Sequence, residues 1–342
     1  MKHIKVGVAG LGRLGLIHAK NISEMKGVEL AAISNLDKEL NEQVAHDLNV
    51  PGSYTDFKEM IQSEDLDAVC IATPSGLHPE QIKFALESNI HVFCEKPIGL
   101  NVENIKETMD IIENHNDKVF HLGFMRRYDN DYQYVKNTIE SGEIGEVSII
   151  RSYGIDPIVG LEDFVKFAKK SPSGGLYLDM AVHDIDAIRW MTESEISKVW
   201  ATGSNKAAPE LNEVNELEIG TVTMQLDNGV TGFLVLGRTA THGYHVETEV
   251  IGTKGMLRIA SAPEKNKVTV FNENGVVRPT SQGFPERFKE AYETELKDFF
   301  SCIREQRKPE VSALDGLRAT EVAIACQTSY ETNDIVNLTY KN

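Results

Sequence analysis

Six residues near the start of the chain constrain its fold more than any others: Gly10-Leu11-Gly12-Arg13-Leu14-Gly15. They follow an apolar run at residues 4–9 and open an amphipathic stretch that starts at residue 14. Glycines at this spacing, between a strand and a helix, have a mechanical reading. Gly10 permits a tight turn, Gly12 lets backbone approach a phosphate, and Gly15 lets the helix close on the strand. A pyrophosphate then sits at the positive end of the helix. The spacing predicts a β-α-β unit that binds a dinucleotide, with Leu11, Arg13 and Leu14 completing the loop. The second strand ends Ile33-Ser34-Asn35-Leu36-Asp37. An acidic residue usually holds the adenosine ribose there in NAD enzymes. Asn35 occupies that position and Asp37 follows two residues later, with no arginine nearby for a 2′-phosphate. NAD is expected over NADP.

The rest of the first third repeats this alternation. Strands are expected at residues 4–9, 28–33, 68–72, 90–94 and 119–122, and helices at 14–25, 38–48, 79–88 and 102–114. Short apolar runs without alternation mean strands buried on both faces, hence a doubly wound parallel sheet. Near Gly123 the pattern changes. Helices are expected at 130–141, 162–169 and 178–191, and strands at 146–153, 199–203, 217–226, 230–238, 246–252, 256–259 and 267–271. Many of these strands alternate apolar and polar residues, as in Thr221-Val222-Thr223-Met224-Gln225-Leu226. Asp227-Asn228-Gly229 and Asn272-Glu273-Asn274-Gly275 read as hairpin turns. Residues 202–216 look the most loop-like, and helices at 285–305 and 312–331 close the chain. The expected fold class is α/β. A dinucleotide domain spans 1–123, and an α+β domain with an open-faced, mostly antiparallel sheet spans 124–342. An open face needs cover, so a homo-oligomer is expected.

The formal net charge of −17 works against nucleic acid and anionic membrane surfaces. No apolar run approaches the roughly 18 residues of a membrane span. The N-terminus leads straight into a strand, without the pattern of a signal peptide. Cys70, Cys94, Cys302 and Cys326 form no CxxC pair and no zinc-like cluster with histidine, so reduced thiols in the cytoplasm and no metal are expected.

The chemistry gathers in two segments. Asp179, His183 and Asp186 stand at i, i+4 and i+7 of an otherwise apolar helical stretch, and so share a face. Glu95-Lys96-Pro97 ends a strand beside the cofactor cleft. Oxidising an alcohol needs a base for the hydroxyl proton, and His183 fits that duty. Asp179 is placed to orient the imidazole, and Lys96 to stabilise alkoxide character. A zinc site is the competing reading, but a lysine repels a metal. Thr73, at the end of another strand, and His78, at a helix start, are candidates for the nicotinamide-ribose region.

Taken together, the glycine loop, Glu95-Lys96-Pro97, and Asp179 with His183 after Gly174-Gly175 resemble the Gfo/Idh/MocA oxidoreductase family. The segments Gly123-Phe124-Met125-Arg126-Arg127-Tyr128-Asp129 and Arg287-Phe288 with Ala291, Tyr292 and Glu295 resemble its inositol 2-dehydrogenases. The resemblance implies a Rossmann domain, an open-faced second domain, tetramers, and NAD(P)-dependent oxidation of a sugar or polyol. It implies Lys96, Asp179 and His183 as the catalytic set, with Glu95 and Lys96 also near the cofactor. It places Lys96, Met125, Arg126, Asp156, Asp179, His183, Asp186 and Tyr244 against the polyol, with His242 as a possible addition. A cis Lys96–Pro97 peptide is also implied. Two alternatives stay open: a dehydrogenase of another sugar derivative, and a non-catalytic dinucleotide-sensing regulator such as the galactose repressor protein. The residues leave open whether the substrate is myo- or scyllo-inositol.

Overall fold

The computed structural model describes residues 3–170, 173–259, 264–273 and 275–340. Two compact units emerge: Met1–Tyr128 with Glu290–Arg318, and Asp129–Lys289 with Ala319–Asn342.

In the first unit, β1 (Ile4–Ala9), α1 (Arg13–Glu24), β2 (Val28–Ser34), α2 (Lys38–Leu48), β3 (Gly52–Tyr54), α3 (Phe57–Ser63) and β4 (Ala68–Ile71) alternate along the chain. The alternation continues through α4 (His78–Glu87), β5 (His91–Glu95), α5 (Val102–Asn114) and β6 (Phe120–Gly123). The strands pair in parallel in the order β3-β2-β1-β4-β5-β6. This is the doubly wound order whose strand ends bind ligands at the switch between β1 and β4. β4 and β6 are buried along their whole length, as an internal parallel strand requires. Asp37, Asp56 and Asn101 cap α2, α3 and α5 through their side chains. β3 and α3 escaped the sequence reading because three and seven residues are too few to show a period.

The second unit opens with α6 (Asn130–Glu140), β7 (Val147–Pro157) and α7 (Leu161–Ala168), then a π-helical turn at Tyr177–Ala181 that runs into α8 (Val182–Thr192). There follow β8 (Ile196–Ser204), β9 (Ile219–Leu226), β10 (Thr231–Ala240), β11 (His245–Gly252), β12 (Met256–Ile259), the short pair β13 (Val270–Asn272) and β14 (Gly275–Val277), and α9 (Phe284–Arg287). The seven-stranded sheet has the order β12-β11-β7-β10-β9-β8-β15, where β15 is Val336–Asn337. β7 and β10 pair in parallel, and the remaining neighbours pair antiparallel. β9 alternates exposed and buried residues without a break, so one sheet face is covered and the other open. Trp200, Ile219 and Phe233 are exposed on these strands. In the expected 272–275 turn, Asn274 lies outside the described residues.

The last helices depart from the expected continuous halves 1–123 and 124–342. The expected helix at 285–305 is two helices, α9 and α10 (Lys289–Glu305), and α11 (Ala313–Thr332) begins in the first unit and ends in the second. The reason is burial. Leu296, Phe299, Phe300 and Cys302 of α10 share one apolar core with Val6, Val8, Ile22, Cys70 and Phe93. Near the start of α11, Gly316 lies so close to Ile98 and Leu122 that a Cβ would stand 2.6 Å from Leu122 Cδ2. All four cysteines are buried free thiols. No helix among the described residues is long and apolar enough to cross a membrane.

Candidate active site

The glycine loop adopts the shape its sequence requires. Gly10 has φ +87°, and a Cβ on it would stand 2.5 Å from the Ala72 carbonyl oxygen. A Cβ on Gly15 would stand 1.8 Å from the Gly10 carbonyl oxygen, whereas one on Gly12 would meet nothing within 4 Å. Thus two glycines pack the loop and the third keeps its surface open. α1 starts at Gly12 with no side-chain cap and no acidic residue in its first turn. Its first amides therefore suit an anion such as a pyrophosphate. The loop residues Leu11, Arg13 and Leu14 lie on this turn. The Leu11 amide donates to Asn35 Oδ1 at 3.4 Å, which ties the end of β2 to the loop. Asp37, in contrast, accepts from the Glu39 and Leu40 amides as the cap of α2. Of the two ribose candidates, Asn35 is the one joined to the loop.

The next strand ends carry the other first-unit candidates. Thr73 Oγ1 donates to Gln81 Oε1 at 2.5 Å. His78 is buried, with Nδ1 2.7 Å from the Pro97 carbonyl oxygen and Nε2 2.8 Å from that of Thr73. Its ring clasps two strand-end loops together and presents neither nitrogen to a ligand, which corrects its expected place at the ribose. Glu95 is likewise turned inward: Oε1 lies 2.7 Å from Nε2 of His18, a fully buried residue of α1. Its carboxylate belongs to the interior and not to the cofactor surface. Lys96 is half-buried, and the Lys96–Pro97 peptide is cis. Met125 and Arg126 are buried in the 3-10 turn after β6. Their neighbour Arg127 pairs with Asp315 at 2.9 Å.

In the second unit, Gly174 and Gly175 have φ of +89° and +94° and lead into the π turn. Such consecutive left-handed positions favour glycine. π turns inside α-helices recur at functional sites. Asp179 lies in this turn, while His183 and Asp186 lie in α8. Asp179 and His183 stay partly exposed, whereas Asp186 is buried. The expected shared face is therefore split between the surface and the interior. Asp184, between them, is also buried and accepts a short bond from Ser152 Oγ.

Asp179 holds a partner the sequence reading missed. Arg238 Nη2 donates to Asp179 Oδ2 at 3.0 Å and to Glu216 Oε2 at 3.1 Å, with its guanidinium 3.7 Å from the centre of the Phe164 ring. Burial lowers the Arg238 pKa, but Asp179, Glu216 and Asp156 together outweigh it, and the net shift is upward. Expected substrate residues Asp156 and Asp179 are thus joined electrostatically through a buried cation. Alternation along β10 carries the signal, since Leu234, Leu236 and Arg238 all face inward. Glu216 also accepts from Ser173 Oγ; burial raises its pKa despite the pull of Arg238. Tyr244 is buried against Phe288, with ring centres 6.3 Å apart. His242 is exposed, with Nε2 3.0 Å from His245 Nδ1. Asp129 both caps α6 and pairs with Arg287 at 2.6 Å, joining two of the segments that carried the resemblance.

Two family models match the chain: one described as an oxidoreductase family with an NAD-binding Rossmann fold, over residues 4–124, and the GFO/IDH/MocA C-terminal domain, over 132–258. The chain belongs to the Gfo/Idh/MocA oxidoreductase family. A scyllo-inositol dehydrogenase from Lactobacillus casei, solved with bound NAD(H) and scyllo-inositol, is 50% identical, with a TM-score of 0.95 over 98% of this chain and 99% of that one. A myo-inositol 2-dehydrogenase from Lactobacillus plantarum is 42% identical, with a TM-score of 0.97 over 99% of this chain and 100% of that one. The scyllo-inositol 2-dehydrogenase (NAD(+)) of Bacillus subtilis is 31% identical, over 100% of this chain and 98% of its own. The Gfo/Idh/MocA assignment agrees with the parallel first sheet and the mostly antiparallel second one.

Proposed function

We propose that the chain is an NAD-dependent inositol 2-dehydrogenase, oxidising a ring hydroxyl of scyllo- or myo-inositol to the 2-keto inosose. The observation that carries this reading is the 50% identity, over nearly all of both chains, to the enzyme solved with NAD(H) and scyllo-inositol. It makes scyllo-inositol the isomer to test first. The loop Gly10–Gly15 and the uncapped start of α1 hold the pyrophosphate, and Asn35 faces the adenosine ribose. When bound, NAD supplies the hydride acceptor. His183 takes the hydroxyl proton as general base, and Lys96 stabilises alkoxide character. Asp179 balances the imidazolium that forms, and Arg238 fixes Asp179 in place. Met125, Arg126, Asp156, Asp186 and Tyr244 complete the polyol contacts, and Thr73 remains near the nicotinamide ribose.

A homo-oligomer that covers the open sheet face around Trp200, Ile219 and Phe233, and a cytoplasmic location, belong to the same reading. Light scattering that finds a monomer at micromolar concentration would remove the oligomer. The activity is tested by NADH absorbance with scyllo-inositol, myo-inositol, D-glucose and D-xylose, with NAD and NADP in parallel. Turnover of an inositol isomer with NAD is the expected result. NAD binding without turnover of any of the four would overturn the reading, in favour of another sugar derivative first and a dinucleotide sensor second.

A further inference from the structure

His18, Glu95 and Glu295 meet inside the first unit, one each from α1, β5 and α10. All three are buried, and one nitrogen or carboxylate oxygen of each lies within 4.8 Å of the others. His18 Nε2 is 2.7 Å from Glu95 Oε1. Neither oxygen of Glu295 has a hydrogen-bond partner, and neither does His18 Nδ1. Edge-on rings of Phe93 and Tyr292 flank His18, with centres at 5.2 and 5.9 Å. Other titratable groups that interact with Glu295 or Glu95 are Cys70 on β4, Cys94 on β5, Tyr128 after β6 and His78 on α4. Burial foremost, then neighbouring carboxylates, raise the pKa of the first three, and burial lowers that of His78, so these groups are neutral. Among the described residues, no lysine or arginine forms an ion pair with either carboxylate.

Two carboxylates this close in a low-dielectric interior do not both stay ionised. An ionised Glu295 would carry its charge in the interior with no donor at either oxygen, the costliest state for a buried carboxylate. The proton therefore sits on a carboxyl group. Glu95 already receives the imidazole hydrogen bond. That leaves Glu295. We propose that Glu295 is a neutral carboxylic acid at neutral pH and a positioning residue: uncharged, it lets Glu95 keep its bond to His18 and steadies the end of β5, from which Lys96 extends. Its neutrality stands on the cluster alone, while its effect on turnover rests on the role proposed for Lys96. Burial first, and then the charge of Glu95, raise its pKa well above the usual 4.5.

A folded-state pKa above the unfolded value means that the folded chain holds a proton that the unfolded chain releases. The stability this lends is complete below about pH 4.5 and is lost as pH rises through the folded pKa. Three measurements on full-length Glu295→Gln and Glu295→Ala test the proposal. In infrared difference spectra at neutral pH, wild type minus Glu295→Gln shows the carbonyl band of a protonated carboxylic acid. The Tm of Glu295→Gln gains on wild type as pH rises from about 5 to 9, because glutamine cannot ionise. Glu295→Ala lowers kcat about tenfold, and Glu295→Gln restores most of it. Absence of the carboxylic acid band together with parallel Tm profiles overturns the proposal. So does a stoichiometric divalent metal in the purified wild type that is lost in Glu295→Gln, since the cluster is then an ion site. Should no inositol be oxidised, the infrared and thermal arms still decide the charge of Glu295.

Discussion

Each unit holds a cluster built around two carboxylates, and the two clusters are neutralised in opposite ways. In the second unit Arg238 lies between Asp179 and Glu216, and the charges compensate as ion pairs. In the first, Glu95 and Glu295 share their space with one imidazole. An ion pair keeps a carboxylate anionic and fixed, as the role proposed for Asp179 requires. A proton instead removes the charge, as befits a group that has only to fill space beside a strand end. The contrast teaches that burial pushes both acids toward the neutral form, and that a neighbouring cation opposes it.

The largest test removes that cation. Arg238→Leu leaves the buried Glu216 and the partly exposed Asp179 without compensation and is expected to cost about 3–5 kcal/mol in urea denaturation of the full chain. A loss below about 1 kcal/mol would mean that the second cluster, like the first, is held by protons. Next come the groups assigned to chemistry in each unit. Lys96→Ala and His183→Ala are each expected to lower kcat by at least ~10², with the fold intact by circular dichroism. Near-normal turnover in either variant removes that residue from the mechanism.

The pH dependence of stability sharpens the comparison further. Burial raises the pKa of both Glu216 and Glu295, so each lends stability that is lost as pH rises. Arg238 opposes the shift at Glu216, and no such cation acts at Glu295. Glu295→Gln should therefore flatten the fall of Tm between about pH 5 and 9 more than Glu216→Gln does. Equal slopes would erase the distinction between the clusters. The smallest effect belongs to Asp37, an exposed cap. Asp37→Ala is expected to lose about 1 kcal/mol of stability and leave NAD affinity unchanged. Asn35→Ala should weaken NAD binding; the reverse outcome would return the ribose contact to Asp37.

Much of the parallel sheet was legible because a strand buried on both faces must be apolar throughout. β1 and α5 were read with their observed limits. β3, α3 and β15 carry too few residues to show a period. The split of the α9–α10 stretch and the return of α10 to the first core were also hidden, since an amphipathic helix advertises an apolar face without saying which core receives it. At the site, the residue types were visible before their contacts were. Asp37, His78 and Glu95 all have the chemistry of a cofactor contact, yet they make, respectively, a helix cap, a clasp between loops and a buried bond to His18.

The sequence by itself determined the family and the glycine loop and singled out Lys96, Asp179 and His183 as the set proposed for catalysis, because these depend on local spacing and on the chemistry of each side chain. Tertiary structure alone decided which acids are paired and which are isolated. Arg238 reaches Asp179 across 59 positions, and Glu295 is 200 positions from Glu95 (295 − 95). The ionisation of a buried carboxyl is set by what stands within a few ångströms of it, and distance along the chain carries no record of that.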